Sequence, residues 1–310
     1  MQDKWVTVMG SFVADLAFRT SQLPAWGQTI MGSEFRLGPG GKGSNQAVAA
    51  ARLGGKVSFI SKLGTDTFGD LARKTYKEEH IDSQFCFDTT EYATGAAAII
   101  VHDVKGENGI VVVPGACFQL TIEDVDRAIP LISKSSIFVT QLELPIPVVE
   151  HGLEVAHRHG IPTILNPAPA FVLPKSIYHL CDYITPNESE AAMLTGTSVS
   201  DVGDAERAAD VLLARGVRNV VITLGEKGAF VRNSQIAEHV PAFDAGPVVE
   251  TTGAGDAFNG ALAIGLSEGL SIVSAVRFGC VAAGISVTRH GTAPSMAKRI
   301  EVDALLKNSL

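Results

Sequence analysis

The chain has 310 residues, 46% of them hydrophobic, and a formal net charge of −8, enough apolar material for one large core or for one domain with a small appendage. Charged residues make up 19% and form no Lys/Arg-rich run, which argues against nucleic-acid and membrane-surface binding. The four cysteines (Cys86, Cys117, Cys181, Cys280) form no CxxC pair and no Cys/His metal spacing, and no signal pattern or membrane-length apolar run occurs, so a soluble cytoplasmic protein with reduced thiols is expected.

The opening run from Trp5 to Gly10 reads as a buried strand ending at a glycine. Ser44 to Leu53 is Ala-rich with helical spacing and stops at Gly54-Gly55. A strand at 57–61 and a helix at 68–79 follow. Further strands are expected at 137–140, 162–165, 183–185 and 220–224, with helices at 147–159, 187–194 and 204–215 between most of them. The alternation predicts an α/β fold, a mainly parallel central sheet flanked by helices. Two stretches break it. Residues 13–37 contain no obvious helix, and the β-rich runs 94–101 and 109–113 flank a turn-like Lys105-Gly106-Glu107-Asn108. These can form a small extra sheet, either a lid over a site or an ordinary edge hairpin. The last third returns to helix at 254–268 and 271–288.

In open parallel sheets, ligands bind beyond the carboxyl ends of the strands. The run Gly38-Pro39-Gly40-Gly41-Lys42-Gly43-Ser44-Asn45 fails the Walker pattern, because Gly43 separates Lys42 from Ser44, and it follows no clear strand. Glycines there allow close approach to a small ligand, with Lys42 and Asn45 as donors to hydroxyls; the alternative is a tight turn that starts a helix. In Thr252-Gly253-Ala254-Gly255-Asp256, small residues lead into a helix, whose free amides and dipole make an anion site. A carboxylate there suits proton abstraction while the amides hold a phosphoryl group; the alternative is an acid that simply favours a helix start. Asn187 can cap a helix, or with Glu190 hold hydrated Mg²⁺ and nucleotide phosphates. The stretch Thr223 to Gly228 reads as a nucleotide-side turn or a plain hairpin turn, and Glu143, just after a strand, can bond a polyol.

Together these segments resemble the ribokinase branch of the PfkB-type carbohydrate kinases. The resemblance runs in order through Gly10-Ser11-Phe12-Val13-Ala14-Asp15, Gly40 to Ala47, Gln141-Leu142-Glu143, Asn166 to Ala170, Thr185-Pro186-Asn187-Glu188, Thr223-Leu224-Gly225 and Gly253-Ala254-Gly255-Asp256, and ends between Val287 and Ser295. It implies one α/β unit over 1–310 with a β-lid from inserts at about 13–37 and 94–113, often a homodimer contact. It implies an ATP-dependent kinase acting on the 5-hydroxyl of a pentose, D-ribose first. Asp256 would be the base, with the amides of Gly253, Ala254 and Gly255 as the anion hole. Ser11, Val13, Asp15, Gly40, Gly41, Lys42, Gly43, Asn45 and Glu143 would line the sugar site. Asn187, Glu190, Thr223, Gly225, Gly228, Gly255 and Cys280 would lie along ATP. Glu250, Thr252, Ser286, Arg289, Gly291 and Ser295 would hold a monovalent cation, K⁺, several through carbonyls.

Two positions depart from the pattern. Val13 stands where asparagine is usual, and valine cannot hydrogen-bond a sugar hydroxyl; 2-deoxyribose is therefore a candidate substrate. Glu250 stands where aspartate is usual, which leaves K⁺ activation open. A nucleoside or hexose kinase and a catalytically silent sugar-binding regulator are the other readings. A dinucleotide oxidoreductase is disfavoured, since no G-x-G-x-x-G follows the first strand.

Overall fold

The structure is a computed structural model that describes residues 5–103 and 108–307. Its strands are β1 (Trp5–Met9), β2 (Val13–Thr20), β3 (Glu34–Gly40), β4 (Lys56–Gly64), β5 (Asp82–Thr89), β6 (Thr94–His102), β7 (Asn108–Gly115), β8 (Ile137–Thr140), β9 (Thr163–Leu165), β10 (Tyr183–Ile184), β11 (Asn219–Thr223), β12 (Ala229–Arg232) and β13 (Ala237–Val240). Its helices are α1 (Lys42–Arg52), α2 (Thr67–Glu78), α3 (Ile122–Arg127), α4 (Ile129–Ile132), α5 (Ile146–Arg158), α6 (Lys175–His179), α7 (Glu188–Thr195), α8 (Val202–Ala214), α9 (Ala254–Glu268), α10 (Ile272–Ser286) and α11 (Arg299–Lys307).

Nine strands form the central sheet in the order β13-β12-β11-β10-β9-β8-β1-β4-β5. Pairing is parallel from β5 to β11 and antiparallel for the β11–β12–β13 edge. Alternate residues of one strand feed two different cores. Ile137 and Val139 join the cluster under α1, α9 and α10, while Phe138 joins the cluster under α5 and α8. That is the period-2 consequence of a sheet covered on both faces.

The expected strands and helices are present within a few residues. Three differences have physical causes. Helix α1 starts at Lys42 rather than Ser44, because Gly41 takes φ +87° and turns the chain directly into the helix. A strand does precede the glycine run: β3 ends at Gly40. Its Gly-Pro-Gly end hides it in the sequence. Strand β5 and the β12–β13 pair were not expected; β5 is short-patterned and only partly buried, and β12–β13 form an edge hairpin.

The two segments that break the alternation form a separate four-stranded sheet, β3-β2-β6-β7. The turn expected at Lys105-Gly106-Glu107-Asn108 lies outside the described residues, apart from Asn108, which opens β7. In this sheet β2 pairs antiparallel with β3 and parallel with β6. One face carries Val13, Asp15, Ala97 and Ile99; Val13, Ala97 and Ile99 pack together there. The opposite face carries exposed Phe18, Phe35, Leu37, Val111 and Val113.

Candidate active site

The carboxyl ends of the parallel strands converge on one region. Ser11 follows β1, Glu143 follows β8, Asn166 follows β9, and Asn187 follows β10 beside Thr223 of β11. The amino terminus of α9 points into the same region, through Asp256 in its first turn.

Asp256 is 6% exposed. Its Oδ2 accepts from Asn45 Nδ2 at 2.9 Å and its Oδ1 from Gln46 Nε2 at 3.0 Å. Burial pushes its pKa up, opposed by Lys42, Asn45 and Gln46. A raised carboxyl pKa brings a base closer to neutrality, where proton transfer is most effective. The amide of Ala254 donates to Thr251 O at 3.2 Å. The amides of Gly255 and Asp256 have no main-chain acceptor among the described residues, as a helix amino terminus requires, so they are the donors available to an anion. Of the three amides expected, that of Ala254 is thus engaged, while those of Gly253 and Gly255 have no main-chain acceptor among the described residues.

Glu143 organises the glycine run. One of its oxygens, Oε2, accepts from Lys42 N at 2.9 Å, and the Ser11 hydroxyl donates to the same oxygen. The Lys42 ammonium is disfavoured by burial, but the charges of Asp256, Glu143 and Glu190 outweigh that and hold its pKa above the ordinary value. The run's glycines answer to protein neighbours first. A Cβ on Gly40 would lie 2.3 Å from the Asp15 carboxyl, and one on Gly41 would lie 2.7 Å from Val13 N. Gly43 likewise lets α1 abut Gly10.

Asp15 projects from β2 toward the central domain, where Thr292 Oγ1 donates to its Oδ2 at 2.8 Å. Burial pushes Asp15 up to about 6, with the Thr292 bond pulling the other way. A cavity of about 200 Å³ lies under this face of the second sheet, lined by Asp15, Gly38, Ile99, Glu250, Gly291 and Thr292.

On the α7 side, Asn187 and Glu190 form a reciprocal capping box: Asn187 Oδ1 accepts from Glu190 N, and Glu190 Oε2 accepts from Asn187 N, both at 2.9 Å. The cap uses Oε2 of Glu190 and leaves its other carboxylate oxygen free of it. Oxygen donors of this kind fit hydrated Mg²⁺. Gly225 sits in the 3-10 turn after β11, and Gly228 closes it where a Cβ would lie 2.1 Å from Val240 O. Cys280 is part of the apolar core of α10, its thiol pushed up to about 12 by burial.

The cation candidates occupy adjacent stretches. Val249 and Glu250 both donate their amides to Val287 O, at 2.7 and 3.1 Å, and Glu250 Oε2 accepts from Gly291 N at 3.0 Å. Thr252 directly precedes the cap residue Gly253, Arg289 N bonds Ser286 O, and Ser295 Oγ bonds Thr292 O. The Arg289 guanidinium is turned away to Glu301, so Arg289 can contribute only its carbonyl. One carboxylate among carbonyls is a hard-oxygen set that fits a weakly charged cation rather than a transition metal.

Sequence reasoning missed Gln46, Thr292 and Asn259 as site residues. Gln46 carries a signal, since it follows Asn45 on a helix that faces the site. Thr292 carries none, because its partner Asp15 is 277 residues away.

A family model for the "pfkB family carbohydrate kinase" matches residues 3–299. The chain belongs to this family. The carbohydrate kinase is 42% identical to ribokinase of Mus musculus over 295 residues, covering 94% of this chain and 91% of that protein. It is 38% identical to deoxyribokinase of Salmonella typhi over 291 residues, covering 94% of each. The structure of Arabidopsis thaliana ribokinase complexed with ribose and ATP is similar with a TM-score of 0.91, at 28% identity and 99% coverage of both chains. Membership carries phosphoryl transfer to an alcohol group of a carbohydrate. Among the described residues, no helix of this kinase is long and apolar enough to cross a membrane.

Proposed function

We propose that the protein transfers the γ-phosphoryl group of ATP to the 5-hydroxyl of a pentose, with D-ribose the first candidate. The observation that carries this is the buried Asp256 carboxylate on the same helix turn as two uncommitted amides. The sugar hydroxyl donates its proton to Asp256 as its oxygen bonds the γ-phosphorus and the bond to ADP breaks. The amides of Gly255 and Asp256 face the charge carried by the migrating group. Asp15, Glu143 and Lys42 hold the remaining hydroxyls, and orientation supplies much of the acceleration. Mg²⁺ near Asn187 and Glu190 would neutralise phosphate charge, and K⁺ near Glu250 and Gly291 would support the anion site. A K⁺ titration of the activity checks the second point; no response would remove K⁺ from the scheme.

A second substrate is favoured by Val13. It is buried on the face that carries Asp15, packed on Ala97 and Ile99, and offers a sugar no hydrogen bond. This supports 2-deoxyribose, which makes no demand there. The second sheet acts in this reading as a lid, carrying Asp15 over the sugar and excluding water. Its apolar outer face suits a second copy of the chain. All four cysteines are free, in keeping with the cytoplasm.

ADP release measured with ribose, 2-deoxyribose, xylose, fructose and nucleosides tests the function. Turnover confined to a pentose supports it. Turnover only with a nucleoside or hexose, or with nothing, overturns it.

A further inference from the structure

We infer that Gln46 is a positioning residue for the catalytic carboxylate, its amide clamped on Asp256 and locked in place by Gln141. This rests on the kinase reading above. Gln46 is fully buried on α1, at 0% exposure. Its Nε2 donates to Asp256 Oδ1 at 3.0 Å and to Asn166 Oδ1 at 3.0 Å. Its Oε1 accepts from Gln141 Nε2 at 2.7 Å.

These contacts leave the amide one orientation. Turned over, it would set its oxygen against two acceptors and its NH₂ against a donor. A carboxylate that ionises can only accept, so Gln46 always presents a donor to Asp256. Gln141 is held in turn by the shape of the site, because a Cβ on Gly10 would lie 2.2 Å from Gln141 Oε1. Asn45 Nδ2 engages the second oxygen at 2.9 Å, so the carboxyl plane is fixed from two sides while each oxygen retains an acceptor position for substrate.

The clamp extends to the far side of the helix turn. Asn166 Nδ2 bonds Thr185 O at 3.2 Å, Thr185 Oγ1 bonds Asn259 Oδ1 at 2.6 Å, and Asn259 Nδ2 bonds Gly255 O at 2.8 Å. One buried chain of amides therefore sets both the base and the helix turn that carries the free amides. Donors to a carboxylate also favour its charged form, offsetting burial. The other charged groups that act on Asp256 are Lys42 from α1, Glu143 after β8, Asp15 from β2 and Glu190 from α7.

The test compares wild type with Gln46→Met, which keeps volume and removes the donor, by steady-state kinetics across pH and by thermal melting. The expected result is a fall in kcat of about 10- to 100-fold with the KM for ATP within about 2-fold. The acid limb of the kcat–pH profile should move to higher pH. Gln141→Met leaves the Asp256 contact but unlocks the amide, so it should lose about 3- to 10-fold in kcat and move the limb the same way. It also carries the test if Gln46→Met fails to fold. Unchanged kcat, or an acid limb that stays in place, in whichever variant folds overturns the role. Absence of wild-type turnover on any sugar overturns the kinase reading itself, a separate result.

Discussion

Thr292 Oγ1 donates to Asp15 Oδ2 at 2.8 Å, and this bond ties a strand of the second sheet to the turn that follows Gly291. The same hydroxyl lies 3.1 Å from Pro39 O, so Thr292 sits at the junction of β2, β3 and the turn that follows Gly291. Asp15 is thereby held over the cavity although burial opposes its charge.

That opposition gives a pH signature. The folded pKa of Asp15, about 6, lies above its ordinary value, so the folded state binds the proton more tightly than the unfolded chain. Its contribution to stability is full below about pH 4 and is lost as pH rises through about 6, by at most about 3 kcal/mol. Asp15→Asn mimics the protonated form and should lack this loss. Urea melts of both proteins between pH 4 and 7 check it; parallel curves would sink the assignment.

Asp256→Asn removes the base but keeps the shape. We expect kcat to fall by about 10²- to 10⁴-fold. ATP affinity, measured by calorimetry, should change by no more than a few fold. A variant that keeps most of its kcat would show that Asp256 takes no proton.

Gly40→Ala would drive a methyl to 2.3 Å from the Asp15 carboxyl, so Asp15 must leave Thr292. The KM for sugar should rise by about 10-fold or more, the cost of about one charge-assisted hydrogen bond. The KM for ATP should stay level. An equal rise in both would point to general misfolding of the loop.

Val13→Asn introduces a donor and an acceptor beside Asp15. The ratio of kcat/KM for ribose to that for 2-deoxyribose should increase by about 10-fold, one net hydrogen bond. A ratio that does not move means that Val13 does not read the sugar.

The outer face of the second sheet is the proposed dimer surface. Val111 is 68% exposed and shares its face of the sheet with Val113, Phe18 and Phe35. Val111→Lys should convert a sedimenting dimer to monomer, since a buried unpaired ammonium is costly. A wild-type monomer at micromolar concentration would rule the dimer out.

Strands β1, β4 and β8 to β11 of the central sheet were legible because they are short apolar runs, most with helical segments between them, a periodic signal local to each element. Asp256 was legible as the acid of a helix start for the same kind of reason, small residues leading into a helical pattern, while its reading as a base came from the ordered motifs around it. The β3 strand was not, since its Gly-Pro-Gly end serves a junction with Asp15 and Val13 rather than a strand's own propensity. Asn187 was read as a possible helix cap, and the structure shows that cap, with Glu190 completing a capping box from its side.

The sequence by itself determined the layered fold, the chain order of the motifs and the acid at the start of α9, because each depends on neighbours within a few residues. Only the tertiary structure decided what stands around that acid. Gln46 and Asn45 reach Asp256 from 210 and 211 residues away, and Thr292 reaches Asp15 across 277. No local periodicity encodes such contacts. They exist because a buried carboxylate must find donors, and the packing of α1 against α9 and of the second sheet against the turn at 291–295 brings those donors within reach.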